Sequence, residues 1–408
     1  MTEYTIHNAD IASGDTIRGR ASVSVSGKKL TSNRVAGPAF DLGGSSFVYP
    51  ALINVHDHFR GNYLPRVGPK DDKYYLNWAP WDADLKSSPV FDERSNISVD
   101  QMYFLSAYKS LFSGVATAND HFPHEINGVY LPRLPIRVIE EYCLSHECSS
   151  FDLHWGDGIE IEHKRALERN WPHITHLEEG FDPESQDGIP ILEKLGCLDD
   201  HDVFIHCIGF SDEDIGKTSR AGASVAWCPG SNIFMFNVTC KIRKMLEAGV
   251  NVSIGTDSTA TGSVNLLAEM KFAREVYRDM YGEDLPAKTV FKMVTANPAK
   301  AFRMSDRIGA LDPGMNADIL VLKARKEEPY ENLAAATMED IEFLSVDGAP
   351  VLAEKRFEEL LPGNGADYEE IRIGGRAMFA KGAPATLYRE IRDAVGFKKR
   401  LEFLPFDC

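Results

Sequence analysis

Residues 50–58, PALINVHDH, decide the fold class. An apolar run ends abruptly in an H-x-H cluster, which is how the C-terminal end of a buried parallel strand reads. Alternate residues of a strand share a face, so His56 and His58 stand about 6 to 7 Å apart along the backbone and can grip one ion. The same pattern recurs three times: His176 ends the run in HITHLEE (173–179), His206 in VFIHC (203–207) and Asp257 in SIGTD (253–257). Chemistry gathered at the C-terminal ends of successive strands is the habit of a β/α barrel. Neutral imidazoles joined by a carboxylate suit zinc or a similar transition metal better than calcium or magnesium.

Outward from these runs the chain changes character twice. Residues 1–48 alternate short segments such as YTIHNADI and ASVSVSG with Gly and Asn turns, which predicts a small β-sheet. From residue 49 to 308 apolar runs alternate with helical stretches, among them VDQMYFLSAYKSLF, PIRVIEEYCLSH and VNLLAEMKFAREVYRDM, the form of repeated β/α units. Residues 309–408 turn β-like again in IGALDPGMNADILVLKA and IEFLSVDGAPVL, so the two ends are expected to share one small β-domain, followed by a tail. Seven barrel strands are legible, beginning with SSFVYPALINV and including SSFDLHW at 149–155. The eighth unit is compressed or missing, and the stretch near GIEIE (158–162) is its candidate place. The predicted fold is therefore an α/β, TIM-like barrel with one short unit and an attached β-domain.

Composition narrows the partners. The chain has 408 residues with 43% hydrophobic content, and its formal charge is 44 − 61 = −17, so a nucleic-acid backbone would be repelled. The start MTEYTIHNAD carries neither a basic nor an apolar leader, and no stretch of 18 apolar residues occurs, which predicts a cytoplasmic protein without a membrane partner. Seven scattered cysteines without a C-x-x-C pair fit reduced thiols. The expected partner is a small-molecule substrate; self-association into a homo-oligomer is left open.

Taken together, the motifs resemble the amidohydrolase superfamily, and more narrowly its branch of cytosine, guanine and S-adenosylhomocysteine deaminases and triazine hydrolases. The resemblance rests on PALINVHDH, DDKYYLNWAPW (71–81), FSGVATAND (112–120), HITHLEE, VFIHC, WCPGSN (227–232), SIGTDS and IGALDPGMNADILVL (308–322). It implies that His56, His58, His176 and Asp257 bind one divalent transition metal, zinc or iron. It also implies that His206 and Asp257 hold the attacking water and that Glu179 moves protons. Ala51 and Asn54 depart from the family's usual Gly and Asp in this lead-in. No lysine ends a strand between GVATAND and HITH, which disfavours a two-metal site bridged by a modified lysine.

Further candidates lie at the expected mouth of the barrel. Arg60 could clamp a carboxylate or carbonyl or simply be exposed, Trp78 and Trp81 could stack on a planar ring or cap the barrel mouth, and His121 and His154 could touch substrate, support the ligands or lie at the surface. The 59–98 connection, with its paired Asp71 and Asp72, is a candidate lid or substrate wall. His173 points to the strand face opposite His176 and is read as structural, and Ser231 and Asn232 as a turn. The function implied is hydrolysis of a non-peptide C–N bond, as deamination of a cyclic amidine or aminated N-heterocycle by metal-bound hydroxide. Ring-opening of a cyclic amide or imide and a non-catalytic scaffold are the alternatives.

Overall fold

The computed structural model describes residues 3–69 and 73–406, so the Asp71/Asp72 pair lies outside the described residues. The first strands are β1 (Glu3–Ser13), β2 (Thr16–Ser26), β3 (Lys29–Thr31), β4 (Ala39–Asp41) and β5 (Ser46–Pro50). Eight short strands follow: β6 (Leu52–Asp57), β7 (Val115–Asp120), β8 (Arg137–Val138), β9 (Cys143–Leu144), β10 (His173–Leu177), β11 (Asp202–His206), β12 (Ser224–Trp227) and β13 (Asn251–Ile254). The C-terminal part supplies β14 (Ile319–Lys323), β15 (Ile341–Val346), β16 (Ala349–Glu354), β17 (Tyr368–Ile373) and β18 (Arg376–Lys381).

The two chain ends meet in one ten-stranded sheet, ordered β17-β18-β16-β15-β14-β5-β1-β2-β3 with β4 on β1. Its join is β5 against β14, antiparallel from Ile319 opposite Pro50 to Lys323 opposite Ser46. Tyr4, Ile11, Val48, Ile319, Val321 and Phe343 form its buried core. SSFVYPALINV is therefore not one barrel strand. It divides at Ala51, whose N–H donates to the Asp318 carbonyl; the first half belongs to the small sheet and the second half is β6.

The strands β6-β7-β8 and β9 to β13 form two parallel sheets of a TIM-like barrel. The two meet where β13 passes β6: the Asp257 N–H donates to the His56 carbonyl at 3.1 Å. A Cβ on Gly255 would come within 2.8 Å of the His56 Cβ, so only glycine permits this approach. At the other seam, β8 pairs with β7 and β9 with β10, with only residues 139–142 between them. A parallel crossover needs a dozen or more residues. One continuous stretch therefore leans first on β7 and then on β10, and the helix of a full unit is missing there.

This corrects three expectations. PIRVIEEYCLSH is not helical but carries β8 and β9; SSFDLHW is irregular; and GIEIE opens the helix Ile159–Arg169 instead of a strand. The expected helices Val99–Leu111 and Leu266–Tyr281 are present. The first is set by a capping box, in which the Gln101 N–H donates to Ser98 Oγ and Gln101 Oε1 accepts from the Ser98 N–H. Among the described residues no helix is long and apolar enough to cross a membrane.

Candidate metal centre

The strand ends converge. His56 is the last residue but one of β6, His176 lies on β10, His206 ends β11, and Asp257 follows β13 by three residues. Ring centroids of His56 lie 4.7 Å from His58, 5.1 Å from His176 and 5.6 Å from His206. The ligand atoms of His56, His58 and His176 lie within 4.8 Å of one another, as do those of His56, His206 and Asp257. Asp257 Oδ1 is 3.9 Å from Nε2 of both His56 and His58.

His206 and Asp257 have left-handed backbone φ of 69° and 54°, and Glu178 has 52°. Non-glycine residues tolerate this only where the surroundings impose it, and such strain gathers at functional sites. Here the surroundings are visible. Asp257 Oδ2 accepts hydrogen bonds from Ser231 Oγ and Thr261 Oγ1, both at 2.8 Å, and Oδ1 accepts the Ser258 N–H. His206 Nδ1 is 2.8 Å from Asn232 Oδ1, which leaves Nε2 to face the cluster. Ser231 and Asn232, read from sequence as a turn, are the residues that orient a carboxylate and an imidazole of the site.

The donor set passes a chemical test for one divalent metal. Both ring nitrogens of His56 and Nδ1 of His176 are buried without a hydrogen-bond partner. Buried polar atoms rarely stay unpaired. Burial first, and the crowd of neighbouring imidazoles second, hold His56 and His176 well below the usual histidine pKa. Their lone pairs are thus free at neutral pH, and imidazoles joined by a carboxylate are the donor types that suit one such ion.

Glu179 is buried, and its Oε1 lies 3.5 Å from His206 Nε2. Burial, reinforced by Asp257 and Glu147, raises its carboxyl well above the usual range. Glu178 turns away: its Oε1 accepts the Ile189 N–H at 3.1 Å, and burial pushes its pKa up to about 8. His173 pairs with Asp202 at 2.8 Å, apart from the cluster.

A cavity of about 390 Å³ opens over these groups. His58, His176, Glu179, His206 and Asp257 line its floor, with Arg60, Trp78 and Trp81 also among its lining residues. Trp78 begins the helix Trp78–Lys86, which Asn77 caps by accepting the Ala79 N–H. Asn77 Nδ2 also reaches Asp182 at 2.9 Å and the Phe181 N–H donates to the Leu76 carbonyl, so the 59–98 connection is fastened beside Glu179. His121 is buried, with its ring 4.8 Å from His176 and no partner for either nitrogen, but it does not line the cavity.

His154 stands at the surface and not against a substrate. Its side chain is 87% exposed and bonds Asp152, outside the cavity. The residue that takes the place expected of it is His146, two residues after β9, which does line the cavity with its ring 5.0 Å from His176 and 4.7 Å from Trp78. Burial lowers His146 to a pKa of about 3, so it meets a ligand as a neutral imidazole. Its signal, an apolar run ending in histidine in YCLSH, is the one that exposed the other ligands.

A buried cation lies beneath the floor. Lys109, near the end of Val99–Leu111, donates to Asp57 Oδ2 at 3.0 Å, Asn62 Oδ1 at 2.8 Å, Thr256 Oγ1 at 3.1 Å and the Asp257 carbonyl at 2.9 Å. Asn54 bonds Thr256 in the same network through its side-chain Nδ2 and Oδ1. The network ties the strand end carrying His56 and His58 to the one carrying Asp257.

Residues 152–352 match the model of the amidohydrolase family. A 5-methylthioadenosine/S-adenosylhomocysteine deaminase of Syntrophobacter fumaroxidans is 26% identical over 380 residues, 81% of this chain and 85% of that protein. One from Pyrococcus abyssi is 36% identical over 209 residues, half of this chain and 46% of that protein. Among solved structures, a zinc-bound adenosine deaminase from Xanthomonas campestris superposes with a TM-score of 0.75 at 16% identity, covering 97% of this chain and 98% of the other. The family match covers just under half of the chain, and the fold shared with that deaminase is a TIM-like barrel.

Proposed function

We propose that this protein is a metal-dependent hydrolase that deaminates a planar, aminated N-heterocycle. The observation that carries the reading is the buried pair of Glu179 and His206, 3.5 Å apart, on the floor of a cavity walled by Trp78, Trp155 and Phe122. Similarity to deaminases along four fifths of the chain supports it. A divalent ion, zinc in this reading, held by His56, His58, His176 and Asp257 would supply Lewis acidity that makes water nucleophilic near neutral pH.

The chain's own groups do the proton work. Asp257 keeps Oδ1 towards the cluster while Ser231 and Thr261 hold Oδ2, so it is placed to accept a proton from the attacking water. His206, fixed by Asn232, presents Nε2 to the same space. Glu179 is kept protonated by burial and can give its proton to a ring nitrogen as oxygen adds to the adjacent carbon. The proton held by Asp257 then goes to the exocyclic nitrogen, the C–N bond breaks as the added hydroxyl becomes a carbonyl and returns its proton to Glu179, and ammonia leaves. The aromatic walls exclude bulk water and match a flat ring.

The test is a screen of the metal-loaded protein against pterins, purines, pyrimidines, triazines and cyclic imides, with ammonia read through glutamate dehydrogenase. Ammonia from an aminated ring is the expected result. Turnover of a cyclic imide without ammonia would replace deamination by ring-opening.

A further inference from the structure

We propose that Arg60 and Arg94 form an anion subsite in the wall of this cavity, so that the heterocycle processed here carries a carboxylate or phosphate group. The inference rests on the deaminase reading for the ring, and on separate observations for the charge. Both guanidinium-bearing residues line the cavity that contains Glu179, His176 and His206. The two are tied together, since Arg94 Nη1 donates to the Arg60 carbonyl at 3.1 Å. Burial and the charge of Arg60 both press the Arg94 pKa downwards, which marks the two cations as electrostatic neighbours.

Neither arginine makes an ion pair among the described residues, although the chain has 61 acidic against 44 basic side chains to draw on. The contrast is local. In the same cavity Lys86 is neutralised by Asp82 at 2.6 Å, and Lys109 below it by Asp57. Two partly buried like charges held together without a counter-ion repel each other, and an arriving anion would relieve that repulsion.

Their planes are also set in advance. The Arg60 guanidinium lies 5.3 Å from the Phe122 ring centroid and that of Arg94 lies 4.2 Å from the Phe91 centroid. Stacking on a ring face leaves the Arg60 N–H groups, and the Nε–Nη2 edge of Arg94 away from its Nη1 bond to the Arg60 carbonyl, to make the paired hydrogen bonds that a carboxylate or phosphate accepts. Arg60 is two residues from His58, so a ring seated over the floor would present a substituent to this wall.

Calorimetry on the metal-loaded protein tests this with three probes of one shape: benzoate, phenyl phosphate and neutral benzamide. At least one anion should bind about tenfold or more tighter than benzamide, and which of the two wins identifies the group as carboxylate or phosphate. Arg60→Gln and Arg94→Gln should each weaken that anion by about tenfold, and the double variant by about a hundredfold. Should the glutamine variants lose metal or fold poorly, Arg60→Lys and Arg94→Lys retain the charge and should weaken anion binding several-fold through loss of the fork. Equal binding of all three probes, or anion binding unchanged in folded double variants, overturns the proposal. Arginine-dependent anion binding without ammonia from any ring would leave the subsite standing and remove the deaminase reading. Ammonia from neutral rings with no gain for acidic ones would do the reverse.

Discussion

Replacing Lys109 with methionine removes a buried cation while keeping the length of the side chain. Lys109 is 1% exposed and Asp57 fully buried, so the lost partner leaves a carboxylate with no compensating charge and Asn62, Thr256 and the Asp257 carbonyl without a shared donor. Breaking a buried pair from one side costs about 3 to 5 kcal/mol. Unfolding entropy of about 2.1 cal/mol/K per residue gives about 0.86 kcal/mol/K for 408 residues, so Tm should fall by about 3.5 to 6 °C. Asp57 is already raised by burial, with Lys109 pulling it back; without Lys109 its folded pKa climbs further above the unfolded one. Stability from such a raised group is present at low pH and lost as pH rises through the folded pKa, so the deficit should widen as pH rises. Adding Asp57→Asn removes the stranded charge and should restore at least half of the loss. Differential scanning calorimetry on samples of equal metal content measures both. A Tm within 1 °C of the parent, or a double variant no better than Lys109→Met, would refute the argument.

Glu179→Gln should keep the metal and lower turnover by about a hundredfold or more, the scale of removing a placed acid; if Glu178→Gln proves the damaging change instead, the proton carrier is misassigned. Asp257→Asn should reduce both metal content, by elemental analysis, and turnover. Burial raises Glu147 to about 8, so its folded pKa exceeds the unfolded value and it favours the fold least above pH 8. Glu147→Gln should therefore raise Tm relative to the parent at pH 8.5 more than at pH 5.5, and an equal effect at both would contradict the burial argument. His146→Ala should raise KM while His154→Ala leaves it unchanged, since only His146 lines the cavity; steady-state kinetics on the substrate found by the screen decides.

The strand-end ligands were legible because a buried parallel strand reads as an apolar run and its polar terminus stands out. His56, His58, His176, His206 and Asp257 all carry that signature, and the structure brings them together. His146 escaped because β8 and β9 have two residues each, too few to show a strand period. Apolar residues at 136, 139 and 143 mimic a helix spacing of three and four, and a missing crossover helix left no boundary to correct it. The run SSFDLHW imitates a strand and draws attention to His154 instead, but residues 149–155 form no strand. Lys109 and Ser231 were hidden for another reason: both act across the fold, 52 residues from Asp57 and 26 from Asp257, and no local pattern encodes such contacts.

The most direct test of the central claim is elemental analysis of the purified protein, reported as metal atoms per chain. One transition-metal ion per chain, lost on changing His56, His58, His176 or Asp257 to alanine, is the predicted result. Two ions at full occupancy would mean that His176, Glu179 and His206 hold a second one, and a folded, catalytically active protein containing none would contradict the metal-dependent mechanism outright.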